Sequence, residues 1–233
     1  MTITRQVHLA ALVCCLMVAP SAFGGVITTY IGSDNGAGAP GAGSNAAAAA
    51  FDTAVGTERL ITFELPLVAT NSVANQTIPL PPSVSVTGNY IDIANTQVCS
   101  PGLCGNNTTP GGSQWLGVYG GSLTFNFTSP INFFGAYFGG LQGSIVGQET
   151  ITFNDGSAET VDIPMLNSGF AFVGFTDTTS FSSVTINALN DIVSVDDVRV
   201  PSSPTGTPEP ASAVLLGSAV LIGLAARMRR KSL

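Results

Sequence analysis

Glu149-Thr150-Ile151-Thr152-Phe153 and Ala158-Glu159-Thr160-Val161-Asp162-Ile163 flank the tetrapeptide Asn154-Asp155-Gly156-Ser157. Two short β-prone runs around such a turn signal predict a β-hairpin. The same character extends to both sides. Upstream, Leu123-Thr124-Phe125-Asn126-Phe127 alternates apolar and polar residues, as a strand with one buried face does. Ser129-Pro130 punctuates the pattern, and Ile131 to Phe138 resumes it with aromatics. Downstream, Phe170–Phe175, Ser183–Asn187 and Val193–Val200 complete the series. Nearer the N-terminus, Leu60–Glu64, Ser83–Thr87 and Tyr90–Ile93 read as further strands. Residues 65–82 hold Pro66, Pro79, Pro81 and Pro82 and read as irregular, and Gly32–Gly43 reads as loop. One helix is expected over Ala46–Ala54, capped by Asn45. Short strands separated by Gly/Asn/Asp turns predict an all-β fold, an antiparallel β-sandwich of jelly-roll-like type, in one domain over residues 25–200.

The last strand carries a phase slip. Val193 and Val195 share one face, whereas Val198 and Val200 continue in the opposite phase. A β-bulge at Asp196-Asp197 would restore a single buried face and turn one carboxylate aside. With Asp191 nearby, and Asp34 and Asn35 in an N-terminal loop, these acids are candidate ligands for a structural Ca²⁺, which takes six to eight oxygens. The plainer reading of the same acids is solvated residues at a turn.

Both ends of the chain carry routing signals. Arg5 and His8 precede an apolar run from Leu9 to Val18, and Ala22-Phe23-Gly24 follows with small residues at both cleavage-determining positions. Residues 1–24 thus read as a Sec-type signal peptide, cut before Gly25. At the other end Pro208-Glu209-Pro210 precedes an uncharged apolar run, Ala211–Ala226, and the basic tail Arg227, Arg229, Arg230 and Lys231. As a helix the run would extend about 24 Å, a short transmembrane span. The cations would hold its end in the cytoplasm, leaving the preceding domain on the far side of the inner membrane. Residues 201–207 read as the linker.

The three features in this order at residues 208–233 resemble the PEP-CTERM sorting domain of Gram-negative bacteria. The resemblance implies cleavage near Pro208-Glu209-Pro210 by a membrane enzyme, an exosortase. The strands around Gly169–Phe175, Phe181–Ile186 and Val195–Val198 are more loosely similar to the closing strands of other PEP-CTERM cargo domains, which look like extracellular β-sandwiches of the lectin kind. The protein is therefore expected to be exported, anchored transiently in the inner membrane, and then delivered to the cell surface or outer membrane, or secreted.

Between the signals the chain is strongly acidic. Residues 25–207 hold thirteen acids against Arg59 and Arg199, a net charge of −11, with no lysine and no histidine. That balance disfavours nucleic acid as a partner. It removes Ser-His-Asp and Cys-His catalysis, histidine-ligated zinc and lysine Schiff bases from consideration. Carboxylate chemistry of the glycosidase type remains, with Glu64 and Asp92 as the acid pair to consider, although their spacing gives no reason to place them together. Cys99-Ser100-Pro101-Gly102-Leu103-Cys104 predicts a local disulfide in an exported domain. Trp115, Tyr119 and Tyr137 are candidates for a sugar-stacking platform, although isolated aromatics in a sandwich more often belong to the core. The expected role is non-enzymatic: a structural or interaction protein of exopolysaccharide or biofilm, with a carbohydrate-binding module as the alternative.

Overall fold

A computed structural model gives the structure of residues 24–64, 76–80, 83–88, 91–94, 98–100, 103–105 and 112–202. The expected signal peptide through residue 23, and residues 203–233, which hold most of the expected linker and the expected sorting signal, lie outside these described residues, as do residues 65–75 of the proline-containing stretch. The fold is all-β and antiparallel. Among the described residues eleven strands run in the order β1 (Ile27–Asn35), β2 (Glu58–Ile61), β3 (Gln76–Leu80), β4 (Val84–Gly88), β5 (Ile91–Ala94), β6 (Val98–Ser100), β7 (Leu103–Gly105), β8 (Trp115–Gly139), β9 (Thr150–Asn154), β10 (Ala158–Asp162) and β11 (Gly169–Pro201). Helix α1 (Ala42–Val55) follows β1, and one helical turn, α2 (Gly143–Val146), precedes β9.

Two long strands organise everything else. β8 has 25 residues and β11 has 33. A straight 33-residue strand would extend over about 100 Å, far beyond a domain of this size. Both strands must therefore bend, and the register shows where. Phe170–Thr176 pairs with Gly139–Phe133, then the pairing shifts before Ser183–Asn187 meets Asn126–Ser122. It shifts again around Leu189 and Asp197, two non-glycine residues at positive φ, and Ser194–Asp196 returns to Gly139–Tyr137. The shift between Asp196 and Arg199 is a bulge, with one extra residue on β11, and between Val193 and Ser194 the strand changes partner from the start of β8 to its end.

The result is two ladders joined through β8 and β11. One runs β1, the first part of β11, the end of β8, the last part of β11, then β2. The other runs β10, β9, the middle of β11, the first half of β8, β4, then β3. Their apolar faces meet in one core. Phe134 lies 5.4 Å from Phe125, and Phe175 stacks on Phe153 at 4.4 Å, each pair joining a residue of one ladder to a residue of the other. Such aromatic pairs add about 0.5–1.5 kcal/mol each beyond their buried area. The arrangement is sandwich-like.

The expected hairpin is present, with β9 and β10 paired from Asn154↔Ala158 to Thr150↔Asp162. The valine phase slip is also present as structure. The register shifts between Asp196 and Arg199, and Val193, Val195, Val198 and Val200 are all buried. Four sequence expectations need correction. Gln76–Leu80, inside the stretch read as irregular, is strand β3, paired with β4. The stretches 123–127 and 131–138 are parts of one strand, and so are the three runs within 169–201. Gly32–Asn35 belongs to β1, whose pairing with β11 overrides its glycine-rich composition. Helix α1 starts at Ala42, and the Asp34 carboxylate caps it in place of Asn45. That carboxylate accepts from the N–H of Gly41 at 2.8 Å, Gly43 at 2.9 Å and Ser44 at 3.0 Å.

Helix α1 lies on the outer face of the first ladder. Its Phe51 is fully buried against Tyr30, Phe133 and Phe172, with ring centroids 5.5–5.8 Å away. Beneath it Gly174 and Gly135 are paired across the strands. A Cβ on Gly174 would come within 2.7 Å of the Phe51 ring, so this glycine rung is what lets the ring settle against the sheet.

Candidate functional site

The residues singled out by sequence fall into separate places. Asp196 and Asp197 lie on the bulge beside Arg199, one of the two cations in residues 25–207. The Arg199 Nε donates to Asp52 Oδ1 of α1 at 2.8 Å, and Glu58 Oε1 of β2 is 3.6 Å away. A second guanidinium nitrogen donates to the Asp197 carbonyl at 2.9 Å. The guanidinium carbon lies 5.3 Å from the Tyr137 ring centroid and 5.2 Å from that of Phe172. Arginine suits this position because its flat, weakly hydrated head stacks on aromatic rings while its edge binds carboxylates. The Tyr137 hydroxyl donates to Asn45 Oδ1 at 2.8 Å, adding a further tie to the helix. Glu58 is raised above the ordinary carboxylate range, by burial first and then by the Asp52 charge, with Arg199 acting against both. Burial likewise raises Asp197, again opposed by Arg199. The cluster fastens α1 to the sheet and holds more negative charge than one guanidinium balances.

Asp191 lies elsewhere. It is fully buried, and its oxygens accept from the N–H of Gln142 and of Ile192, each at 2.7 Å. Beside it is Glu149, also buried, whose carboxyl is pushed up to about 9 by burial first and by the charge of Asp191 second. Glu149 thus keeps its proton at neutral pH. Asp196 Oδ1 accepts from the Asp197 N–H at 2.8 Å, and Asp34 is occupied with the helix cap. Among the described residues no group of three or more His, Cys, Asp or Glu side chains converges as a metal site would. The structure therefore does not gather Asp191, Asp196 and Asp197, and it assigns Asp34 to another task.

The sugar-stacking expectation is corrected as well. Trp115 is completely buried, its ring beside Gly105 of β7, and Tyr137 is nearly so, packed with Phe51 of α1. Tyr119 is half-buried, and burial together with the Asp92 charge pushes its hydroxyl up to about 12. Glu64, exposed, accepts from the N–H of Ser113 at 2.7 Å and of Gln114 at 2.6 Å, bracing the approach to β8. Asp92 stands on β5 opposite Gly117. Cys99 and Cys104 are direct partners in the small β6–β7 ladder. Directly opposed antiparallel residues have Cα atoms about 4.5–5.5 Å apart, within the range that disulfides bridge.

The sequence reading missed Asp52, Glu58 and Glu149. For the first two a signal existed: with two arginines among thirteen acids, each arginine had to be shared. No known protein family matches this chain, and no curated protein matches it. Among the described residues no helix is long and apolar enough to cross a membrane. Residues 208–233, including Pro208, Glu209, Pro210 and the basic tail, lie outside the described part.

Proposed function

We propose that the protein is exported by the Sec machinery, held transiently in the inner membrane by residues 211–226, and cut near Pro208-Glu209-Pro210 by an exosortase. Its mature form is then a non-enzymatic structural component of the cell surface or of extracellular exopolysaccharide or biofilm. Its fold is a jelly-roll-like β-sandwich, and a Cys99–Cys104 disulfide closes the small ladder. The observation that carries the reading is the order of signals at the two ends. An apolar leader with a small-residue cleavage site opens the chain, and a Pro-Glu-Pro motif, an apolar run and four cations close it. A net charge of −11 between them suits a domain that stays soluble outside the cell. The Cys99↔Cys104 register supports the disulfide, which an oxidising compartment would maintain.

The test is replacement of Pro208, Glu209 and Pro210 by alanine in the producing bacterium, followed by fractionation. The expected result is an uncleaved chain retained in the inner membrane. Unaltered processing and surface delivery would defeat the reading.

A further inference from the structure

A second group of acids surrounds the point where the domain begins. The Gly25 N–H donates to Asp155 Oδ2 of the hairpin turn. The other oxygen of Asp155 accepts from the Ser157 N–H at 3.0 Å and the Ser157 hydroxyl at 2.9 Å. Asp177 of β11 lies against the Gly25 Cα so closely that a Cβ there would overlap its carboxylate. Only glycine fits at this position. Asp177 is 4 % exposed, and its Oδ1 accepts from the Thr179 N–H at 2.9 Å. Its Oδ2 is buried without a hydrogen-bond partner. Glu159 completes the group, its carboxylate competing with Asp155 for the single Ser157 hydroxyl proton. The next residue is fixed in turn, because the Val26 N–H donates to Thr178 Oγ1 at 2.8 Å.

The electrostatics of the group are unbalanced. Asp155 is held down to about 2, chiefly by the Gly25 N–H and then by Ser157. Asp177 is raised by burial, opposed by the Thr179 N–H, and raised further by the Asp155 charge, by a side-chain hydrogen bond with Asp155 and by the Glu159 charge. Arg199 is engaged with Asp52, and Arg59 stands on β2 opposite Val200. Among the described residues no cation acts on Asp155 or Asp177. A buried carboxylate with an idle oxygen, next to two further acids, is costly unless a positive group joins it.

Export supplies one. We propose that Asp155 and Asp177 form the seat of the α-ammonium group that removal of the leader creates at Gly25. The proposal rests on cleavage before Gly25, the position the leader itself indicates. Breaking the Gly24–Gly25 bond with water turns an amide N–H, which donates once, into an ammonium that donates three times. One donor keeps the Asp155 bond, and the Asp177 Oδ2 is available to a second. Hydrogen bonds to charged groups are roughly twice as strong as neutral ones. Leader removal thus tightens the fold at the meeting of β1, the β9–β10 turn and β11. The titratable groups facing the amine are Asp155, Asp177 and Glu159. An α-amine ordinarily titrates near pH 8, and acid neighbours favour its charged form, so the added stability is full below about pH 8 and declines as pH rises further.

The lysine-free stretch 25–207 makes the test clean, because the α-amine is its one primary amine. The full chain is exported from cells, purified, and its N-terminus sequenced. It is then treated at pH 7 with an amine-acylating reagent, folded and in denaturant, and the labelled peptides are identified by mass. The expected N-terminus is Gly25, with acylation in the folded state at least about tenfold slower than in the unfolded state. Asp155→Asn and Asp177→Asn should each restore much of the unfolded rate. The acylated wild type should melt about 5 °C lower than the untreated protein. An N-terminus elsewhere would overturn the cleavage reading and the proposal with it. An N-terminus at Gly25 whose amine reacts equally fast folded and unfolded would overturn the proposal alone.

Discussion

Two carboxyl pairs link the β9 region to β11 and reach opposite solutions to the same problem. Glu149 and Asp191 are both buried, and the pair loses a charge because Glu149 keeps its proton. Asp155 and Asp177 lie only a hairpin strand away, yet Asp155 is held ionised by N–H groups and the pair faces the backbone nitrogen of Gly25. The first pair is neutralised by a proton and the second is arranged for a cation. A third arrangement, Asp52 and Glu58 around Arg199, uses one of the domain's two arginines. A domain without lysine or histidine has few other means of burying acids. The comparison shows that burial alone does not fix a carboxyl's state; the donors aimed at it do.

The largest effect is expected where the cation is built into the chain. Arg199→Ala would leave Asp52 and Glu58 facing each other and strip the guanidinium from Tyr137 and Phe172. Arg199 is buried but Asp52 is 40 % exposed, so the loss is that of a half-buried ion pair plus two ring contacts, about 2–3 kcal/mol and a fall in Tm of about 8 °C. Thermal melting would check it, and a fall below about 2 °C would mean that the cluster is ornamental.

Glu149→Gln comes next and sharpens the contrast between the two pairs. The folded-state value of about 9 lies above that of an unfolded glutamate, near 4.3. Between these values the folded state binds the extra proton, so the wild type loses stability as pH rises from about 4 to about 9. Glutamine mimics the protonated acid. The variant should match the wild type near pH 4 and exceed it at pH 8 by about 5 °C in Tm. A difference independent of pH would place the proton elsewhere.

Asp34→Ala should have the smallest effect. Burial acts to raise this carboxyl, but the Ser44 hydroxyl and the N–H groups of Ser44, Gly43 and Gly41 outweigh it and hold it at about 2. Losing such a cap costs about 1 kcal/mol, or about 3 °C. The wild-type contribution is present above about pH 4 and is lost as pH falls towards 2, so the variant and wild type should converge in acid.

These regions also differ in how readily the sequence discloses them. The hairpin at Asn154–Ser157 and the bulge at Asp196-Asp197 were legible because alternation and turn chemistry are local signals. The limits of β1 and α1 were not. Gly32–Gly43 has the composition of a loop, and its structure comes from pairing with β11 and from a carboxylate that reaches forward to cap the helix. Trp115 and Tyr137 resembled a binding platform because a side chain's exposure is decided by which layer covers it. Asp191 and Asp197 are near in sequence, but β11 bends between Leu189 and Arg199, so one acid is braced by Gln142 and the other joins Arg199. The Glu149 partnership had no sequence signal at all, since 42 residues separate it from Asp191.

The central claim is that one acidic β domain is cut free of a routing signal at each end. The intact mass of the protein recovered from the producing bacterium tests it most directly. Processing at both ends would give a chain that starts at Gly25, ends near Pro208, and weighs two hydrogens less for the Cys99–Cys104 bridge. A mass of 23.7 kDa, that of all 233 residues, would contradict it.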